Sequence, residues 1–186
     1  MKTHSASSPP APLIPLWLKI SYTAFMAVLV PIYWHHYGLS NFLYFCDVAL
    51  FLTLVGVWKE SPLLISLPAV GIFLPQLLWC VDFLVELSGH RFTGLTSYMF
   101  DEHKPLYLRG LSLFHGWLPW LLLGLLAKVG YDRRALWGWS LLTVALCLFC
   151  YIALPPAGAE LADPNLPRNV NYVFGMDDAA PQTRFA

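Results

Sequence analysis

The sequence predicts an all-α fold, a polytopic transmembrane helical bundle of about five spans, on three observations. Hydrophobic residues occupy 58% of the 186 positions and charged residues only 12%, where an ordinary soluble domain carries roughly 25% charged residues. Apolar runs long enough to cross a hydrocarbon core recur along the chain. Trp and Tyr gather near the ends of those runs, as at a membrane–water interface. The formal net charge is zero, so nothing points to nucleic acid as a partner, and the lipid bilayer is the expected one. At this length there is room for one bundle and no sizeable soluble domain.

The elements follow in order. Residues 1–15 are rich in Ser, Pro and Ala, with Lys2 as an early charge. No small-residue cleavage site precedes the first apolar run, so they read as a disordered lead-in to a retained helix rather than a signal peptide. The bundle occupies residues 16–154. Its first span runs from about Leu16 to Tyr33, with Pro31 near its far end, and its second from about Phe42 to Val57. The third, about Leu63 to Leu87, contains Pro68 and Pro75, which are expected to kink or break it. The fourth covers about Gly110 to Lys128 and the fifth about Leu136 to Leu154. From Pro155 to Ala186 the chain is a polar, Pro- and Gly-rich tail, in which the alternation around Asn169 and Asn171 predicts an extended segment with one polar edge.

Basic residues in the short loops set the orientation. One face carries Lys2, Lys19, Lys59, Lys128, Arg133 and Arg134; the other carries Arg91, Lys104, Arg109, Arg168 and Arg184. The Arg133–Arg134 pair beside the fifth span favours the first face as cytoplasmic, which puts the N-terminus inside and the tail outside. Cys46, Cys80, Cys147 and Cys150 all fall within apolar stretches. There they read as small packing groups rather than redox centres or metal ligands, since reactive thiols need electropositive, partly exposed surroundings.

Polar residues are unevenly divided between the two ends of the bundle. The links around Lys59–Pro62 and Gly130–Arg134 look like ordinary turns. Every unusual polar group lies at the other end. Asp47, Asp82 and His115 each sit about six residues inside a different apolar stretch, where an ionisable side chain is costly and usually marks a site or a buried pair. His35 and His36 close the first span, Asn41 opens the second, and Glu86 follows Asp82 by one helical turn. Arg109 and Ser112 lie on the turns before His115, and Asn169 and Asn171 return on the same side.

This grouping admits two functional classes. In the first, the protein is an acid–base enzyme on a lipid or lipid-like substrate, with His115 as the catalytic base oriented by Asp47 and Asp82. His35, His36, Asn41, Glu86, Arg109, Ser112, Asn169 and Asn171 would then bind the substrate. In the second, the same groups hold a ligand or a membrane-complex partner without catalysis, as an accessory or binding subunit. Each residue also has a structural reading: Asp47 and Asp82 as interhelical links, the two histidines as interfacial side chains, the asparagines as anchors for the tail. Histidine spacing gives a weak metal signal, because no H-x-x-x-H pair occurs and adjacent histidines diverge on a helix. No cofactor is indicated.

At Tyr33–Gly38 (YWHHYG), Tyr98–Asp101 (YMFD), Leu108–His115 (LRGLSLFH) and Asn169–Gly175 (NVNYVFG), the chain resembles a group of bacterial multi-pass integral membrane proteins with no established activity. The resemblance implies a bacterial inner-membrane setting and a helical fold, and brings no catalytic residue or cofactor with it.

Overall fold

The computed structural model describes residues 12–175, and all the regular structure in that range is helical. Six α-helices follow one another: α1 (Leu16–Tyr37), α2 (Phe45–Lys59), α3 (Pro62–Leu87), α4 (Leu106–Ser112), α5 (Phe114–Val129) and α6 (Arg134–Ala153). Short 3-10 turns occur at Leu39–Leu43, Ser97–Met99 and Val170–Tyr172. Four stretches are long and apolar enough to cross a membrane: α1, α3, α4 with α5 (Leu106–Val129), and α6. The second expected span is shorter than predicted. Tyr44 is extended, so the apolar run divides into the turn at Leu39–Leu43 and α2, whose 15 residues rise about 22 Å against a ~30 Å hydrocarbon core.

α3 is the centre of the arrangement, packing on α2, α5 and α6. It starts with Pro62 at its first turn and Ser61 as cap, the Ser61 hydroxyl accepting from the Leu64 N–H at 3.4 Å. The helix then runs unbroken through Pro68 and Pro75. Both prolines lack the N–H that would bond four residues back, but the flanking ladder and packed neighbours keep the helix continuous, as often happens in apolar spans. The core between helices is built from Leu29, Leu50, Ile65, Ile72, Leu118 and Leu122, all buried. Small residues set the spacing: Gly56 lies against Ile65 and Gly71 against the Trp139 indole. α6 is the outermost helix, presenting Trp137, Leu141 and Ile152 outward.

Helix ends sort into two sets. At one end Glu60, in left-handed conformation after α2, accepts from the Leu13 N–H (3.0 Å), the Ile14 N–H (3.1 Å) and Lys19 Nζ (2.8 Å). Leu13–Pro15 are thereby ordered, where the sequence predicts a disordered lead-in; residues 1–11 of that lead-in lie outside the described residues. The Asp132 N–H donates to Ser66 Oγ at the same end, at 2.9 Å. The Lys19 ammonium, with the two backbone donors behind it, holds the Glu60 carboxyl down from 4.5 to about 2. A depressed carboxylate stabilises the fold above its unfolded pKa, and that contribution is lost as pH falls through its folded one. Glu60-dependent stability is therefore expected to fade between about pH 4.5 and pH 2. Thermal unfolding of wild type and Glu60→Gln in detergent across that range checks it: the two should converge at the acid end.

At the opposite end lie the polar groups singled out in the sequence. α1 runs past Tyr33 to Tyr37 and carries His35 and His36 as helical residues, closed by Gly38 at φ +70. The span expected from Gly110 begins at Leu106 and is interrupted at Leu113, between α4 and α5. The tail segment is not extended: Asn169, Asn171 and Tyr172 have left-handed φ around a 3-10 turn, a conformation that asparagine tolerates better than most residues. The last eleven residues of the expected tail, 176–186, lie outside the described residues.

Candidate functional site

The break at Leu113 arises from the backbone bonding around it. The Gly116 N–H bonds to the Leu113 carbonyl at 2.9 Å rather than one residue further back, leaving the Ser112 carbonyl outside the helical ladder. The His115 ring turns back to fill it, Nδ1–H donating to Ser112 O at 2.8 Å. A carbonyl only accepts, so Nδ1 carries a proton, and in the neutral ring Nε2 keeps the lone pair. Pro119, four residues on, has no N–H for the His115 carbonyl; that carbonyl accepts instead from Cys80 Sγ at 3.7 Å. The imidazole is stacked on Trp79 with centroids 5.1 Å apart and on Phe114 at 4.0 Å. Its Nε2 makes no hydrogen bond among the described residues.

Ser112 is the node of this region. Its hydroxyl lies 2.9 Å from Tyr33 Oη and donates to the Leu108 carbonyl at 3.2 Å. With the serine proton committed to Leu108, the tyrosine is left as donor in the first pair. The Trp79 indole N–H donates to Tyr98 Oη at 3.2 Å. Burial pushes the Tyr98 phenol above its ordinary range, against the pull of the indole N–H. Over the top, Lys104 Nζ sits 5.3 Å from the Tyr98 ring centre and 5.9 Å from that of Tyr37.

Asp47 faces this region from α2 and is only 3% exposed. One oxygen, Oδ2, meets the neighbouring Cys46 thiol at 3.6 Å. The other, Oδ1, is buried with no hydrogen-bond partner among the described residues. Gln76 on α3 is in the same condition, 2% exposed with both amide atoms unbonded among the described residues. Buried polar atoms without partners are uncommon and call for an explanation.

Asp82 has a different employment. It is fully buried, and both oxygens are taken by the loop that follows α3. Oδ1 accepts from the Thr93 N–H (2.6 Å), Thr93 Oγ1 (2.7 Å) and the Gly94 N–H (3.3 Å). Oδ2 accepts from the Thr96 N–H and Thr96 Oγ1, both at 2.8 Å. Glu86, one turn on, accepts from the Ser97 hydroxyl, and its Oε2 lies 2.9 Å from Thr96 Oγ1, whose single proton is shared between Glu86 and Asp82. The two carboxylates clasp residues 93–97 over the bundle end. No hydrogen bond joins His115 to Asp82 or Asp47 among the described residues.

The remaining expected residues divide similarly. His36 Nε2 pairs with Tyr107 Oη at 2.8 Å, linking α1 to α4, while His35 stays exposed with its ring 5.1 Å from that of His36. Asn41 is buried in its turn, with its carbonyl accepting from the Tyr44 N–H at 3.1 Å. Arg109 Nη1 donates to the Met99 carbonyl at 3.1 Å. Asn171 is a tail anchor, Nδ2 donating to Leu43 O (2.9 Å) and Oδ1 accepting from the Phe45 N–H (3.0 Å). Asn169 closes its own turn, Oδ1 accepting from the Phe174 N–H (2.9 Å) and Nδ2 donating to Gly175 O (2.7 Å). Among the described residues, no three His, Cys, Asp or Glu side chains gather as a metal-binding group.

Sequence reasoning missed Tyr33, Trp79, Tyr98 and Gln76. Gln76 had a signal, a lone amide in the middle of an apolar span. The aromatic residues had none, since Trp and Tyr near span ends are the ordinary interfacial pattern. Comparison with protein-family models, with curated proteins and with solved structures gives no match to this chain.

Proposed function

We propose that this is a ligand-binding membrane protein that holds a small molecule, lipid or lipid-like, at the polar end of its bundle around Ser112, without acid–base catalysis. The observation that carries the reading is Asp47. A buried carboxyl oxygen without a partner among the described residues offers a specific polar contact to an incoming group inside an apolar frame. The alternative source of that contact is a partner subunit in a membrane complex. In this reading the chain crosses the bilayer about five times, α2 serving as a short crossing aided by the preceding turn. Arg133 and Arg134 beside α6 support a cytoplasmic N-terminus. The bacterial inner membrane rests on the resemblance in the four segments quoted above.

A second reading is favoured by one group. His115 Nε2 carries a lone pair with no hydrogen bond among the described residues, as a general base would. Catalysis on a lipid-like substrate would then run through His115 and Asp47, with Asp82 confined to holding the loop.

Mass spectrometry of molecules retained by the protein in mild detergent separates these readings. A defined small molecule is expected in stoichiometric amount on wild type, strongly reduced on Asp47→Ala and Ser112→Ala and retained on His115→Ala. A substrate that accumulates only on His115→Ala would favour catalysis. A stoichiometric protein subunit in its place would favour the complex. Wild type carrying no defined molecule would overturn the binding reading.

A further inference from the structure

Arg109 lies in the span Leu106–Val129, at the same end as the polar centre but on its outer side. Its Nη1 is committed to the Met99 carbonyl. Its Nε is buried and has no acceptor among the described residues. The ion pairs among those residues are Lys19–Glu60 and Arg134–Asp132, so none of the described carboxylates neutralises Arg109. Nearby Asp101 turns its Oδ1 to the His103 N–H at 2.9 Å.

Arg109 lines a surface groove of about 370 Å³, walled by Phe83, Phe100, Leu106 and Leu113, with Met99 and Gly110 beside it. The Phe83 and Phe100 rings stack with centroids 5.5 Å apart. Leu106 is 76% exposed and Leu113 44%, so the outer wall is apolar and open. A Cβ added at Gly110 would meet nothing within 4 Å, which leaves the groove unobstructed beside the arginine.

An unpaired guanidinium at the edge of hydrocarbon is costly unless it reaches water or an anion. The anion that comes with apolar chains attached is a membrane lipid phosphate. Planar, multiply donating arginine suits phosphate oxygens better than a point charge does. We infer that the groove between α3 and α4 binds one anionic phospholipid, its phosphate on Arg109 and an acyl chain along Phe83, Phe100, Leu106 and Leu113. This site rests on the membrane placement proposed above but not on a ligand at Ser112.

The test uses the full chain reconstituted in nanodiscs of phosphatidylcholine with a minor fraction of phosphatidylglycerol, followed by native mass spectrometry of the retained lipids. Wild type is expected to retain phosphatidylglycerol over phosphatidylcholine by about fivefold beyond the bulk ratio, because both lipids offer a phosphate but the choline ammonium cancels its charge, leaving phosphatidylglycerol to neutralise the arginine. Arg109→Gln should bring retention to the bulk ratio. Gly110→Leu, which fills the groove and keeps the charge, should do the same, and it remains informative if Arg109→Gln does not fold. Wild-type retention at the bulk ratio would overturn the inference. So would a preference that survives Gly110→Leu, since that result means attraction to charge without the groove. Thermal stabilisation by inorganic phosphate equal to that by phosphatidylglycerol would identify a free-anion site and overturn the lipid assignment. Asp47→Ala should leave the lipid preference intact, which keeps this result separable from the fate of the Ser112 centre.

Discussion

Asp82→Asn is expected to loosen the loop over the bundle end and to cost about 1–3 kcal/mol of stability, although it changes shape hardly at all. The reason is the direction of the hydrogen bonds. Five donors converge on the two carboxylate oxygens, three of them backbone N–H groups of Thr93, Gly94 and Thr96. An amide offers one oxygen and turns an NH₂ toward the other set. The threonine hydroxyls can rotate and accept, but a backbone N–H cannot. Either orientation of the asparagine therefore leaves at least one buried N–H without an acceptor.

Two measurements check this expectation. The melting temperature in detergent should fall, and trypsin should cut sooner at Arg91, which borders the clasped residues. Glu86→Gln is the milder control, because its partners are the Thr96 and Ser97 hydroxyls, which can rotate. An Asp82→Asn protein with wild-type melting and proteolysis would show that the carboxylate does not hold the loop.

Gly71→Ala is the other large expected effect. The added Cβ would come within 1.7 Å of the Trp139 indole, and no rotation of so rigid a ring clears that overlap while it stays packed. Trp139 is itself buried, wedged between α3 and the Phe45 ring 6.2 Å away. α6 packs on the bundle chiefly through α3, so displacing the indole unseats the helix at its main contact. Overpacking of this kind costs about 1–3 kcal/mol. Gly124→Ala provides the contrast: its Cβ would meet nothing within 4 Å, and alanine favours the helix by up to ~1 kcal/mol. The double variant Gly71→Ala/Trp139→Leu should recover part of the loss, a coupling of about 0.5–3 kcal/mol between contacting residues. Thermal unfolding of wild type, Gly71→Ala, Trp139→Leu, the double variant and Gly124→Ala reads all of these. If Gly71→Ala melts with wild type, α6 is not seated through this contact.

The two carboxylates of the third span show how far the site was legible. Their helical spacing placed Asp82 and Glu86 on one face and at the polar end, and the structure keeps both there. The sequence could not say that their partners are Thr93, Thr96 and Ser97. A loop of mixed polar residues has many ways to fold, and its choice is fixed by which donors reach a buried acceptor. His115 has a similar history. Its depth followed from its position in an apolar run, but its engagement with the Ser112 carbonyl depends on the helix breaking at Leu113. That break reflects the shift of the Gly116 N–H to a nearer carbonyl, a local choice that apolar periodicity does not encode. The short second helix had the same cause: an extended Tyr44 divided a run whose hydropathy alone read as continuous.

What the sequence determined by itself is the partition of this chain: its helical class, its long apolar helices and the gathering of its unusual polar residues at one end. Partition depends on the apolar content of each segment, summed over roughly 20 consecutive residues, and that sum is written in the sequence. What only the tertiary structure decided is which polar atoms meet. Asp82 is spent on a loop, Asn171 on the start of α2 across more than a hundred residues, and Asp47 is left with a buried oxygen unmatched among the described residues. Hydrogen bonds act over about 3 Å and in fixed directions, so their pairing is set by the packed arrangement of distant segments.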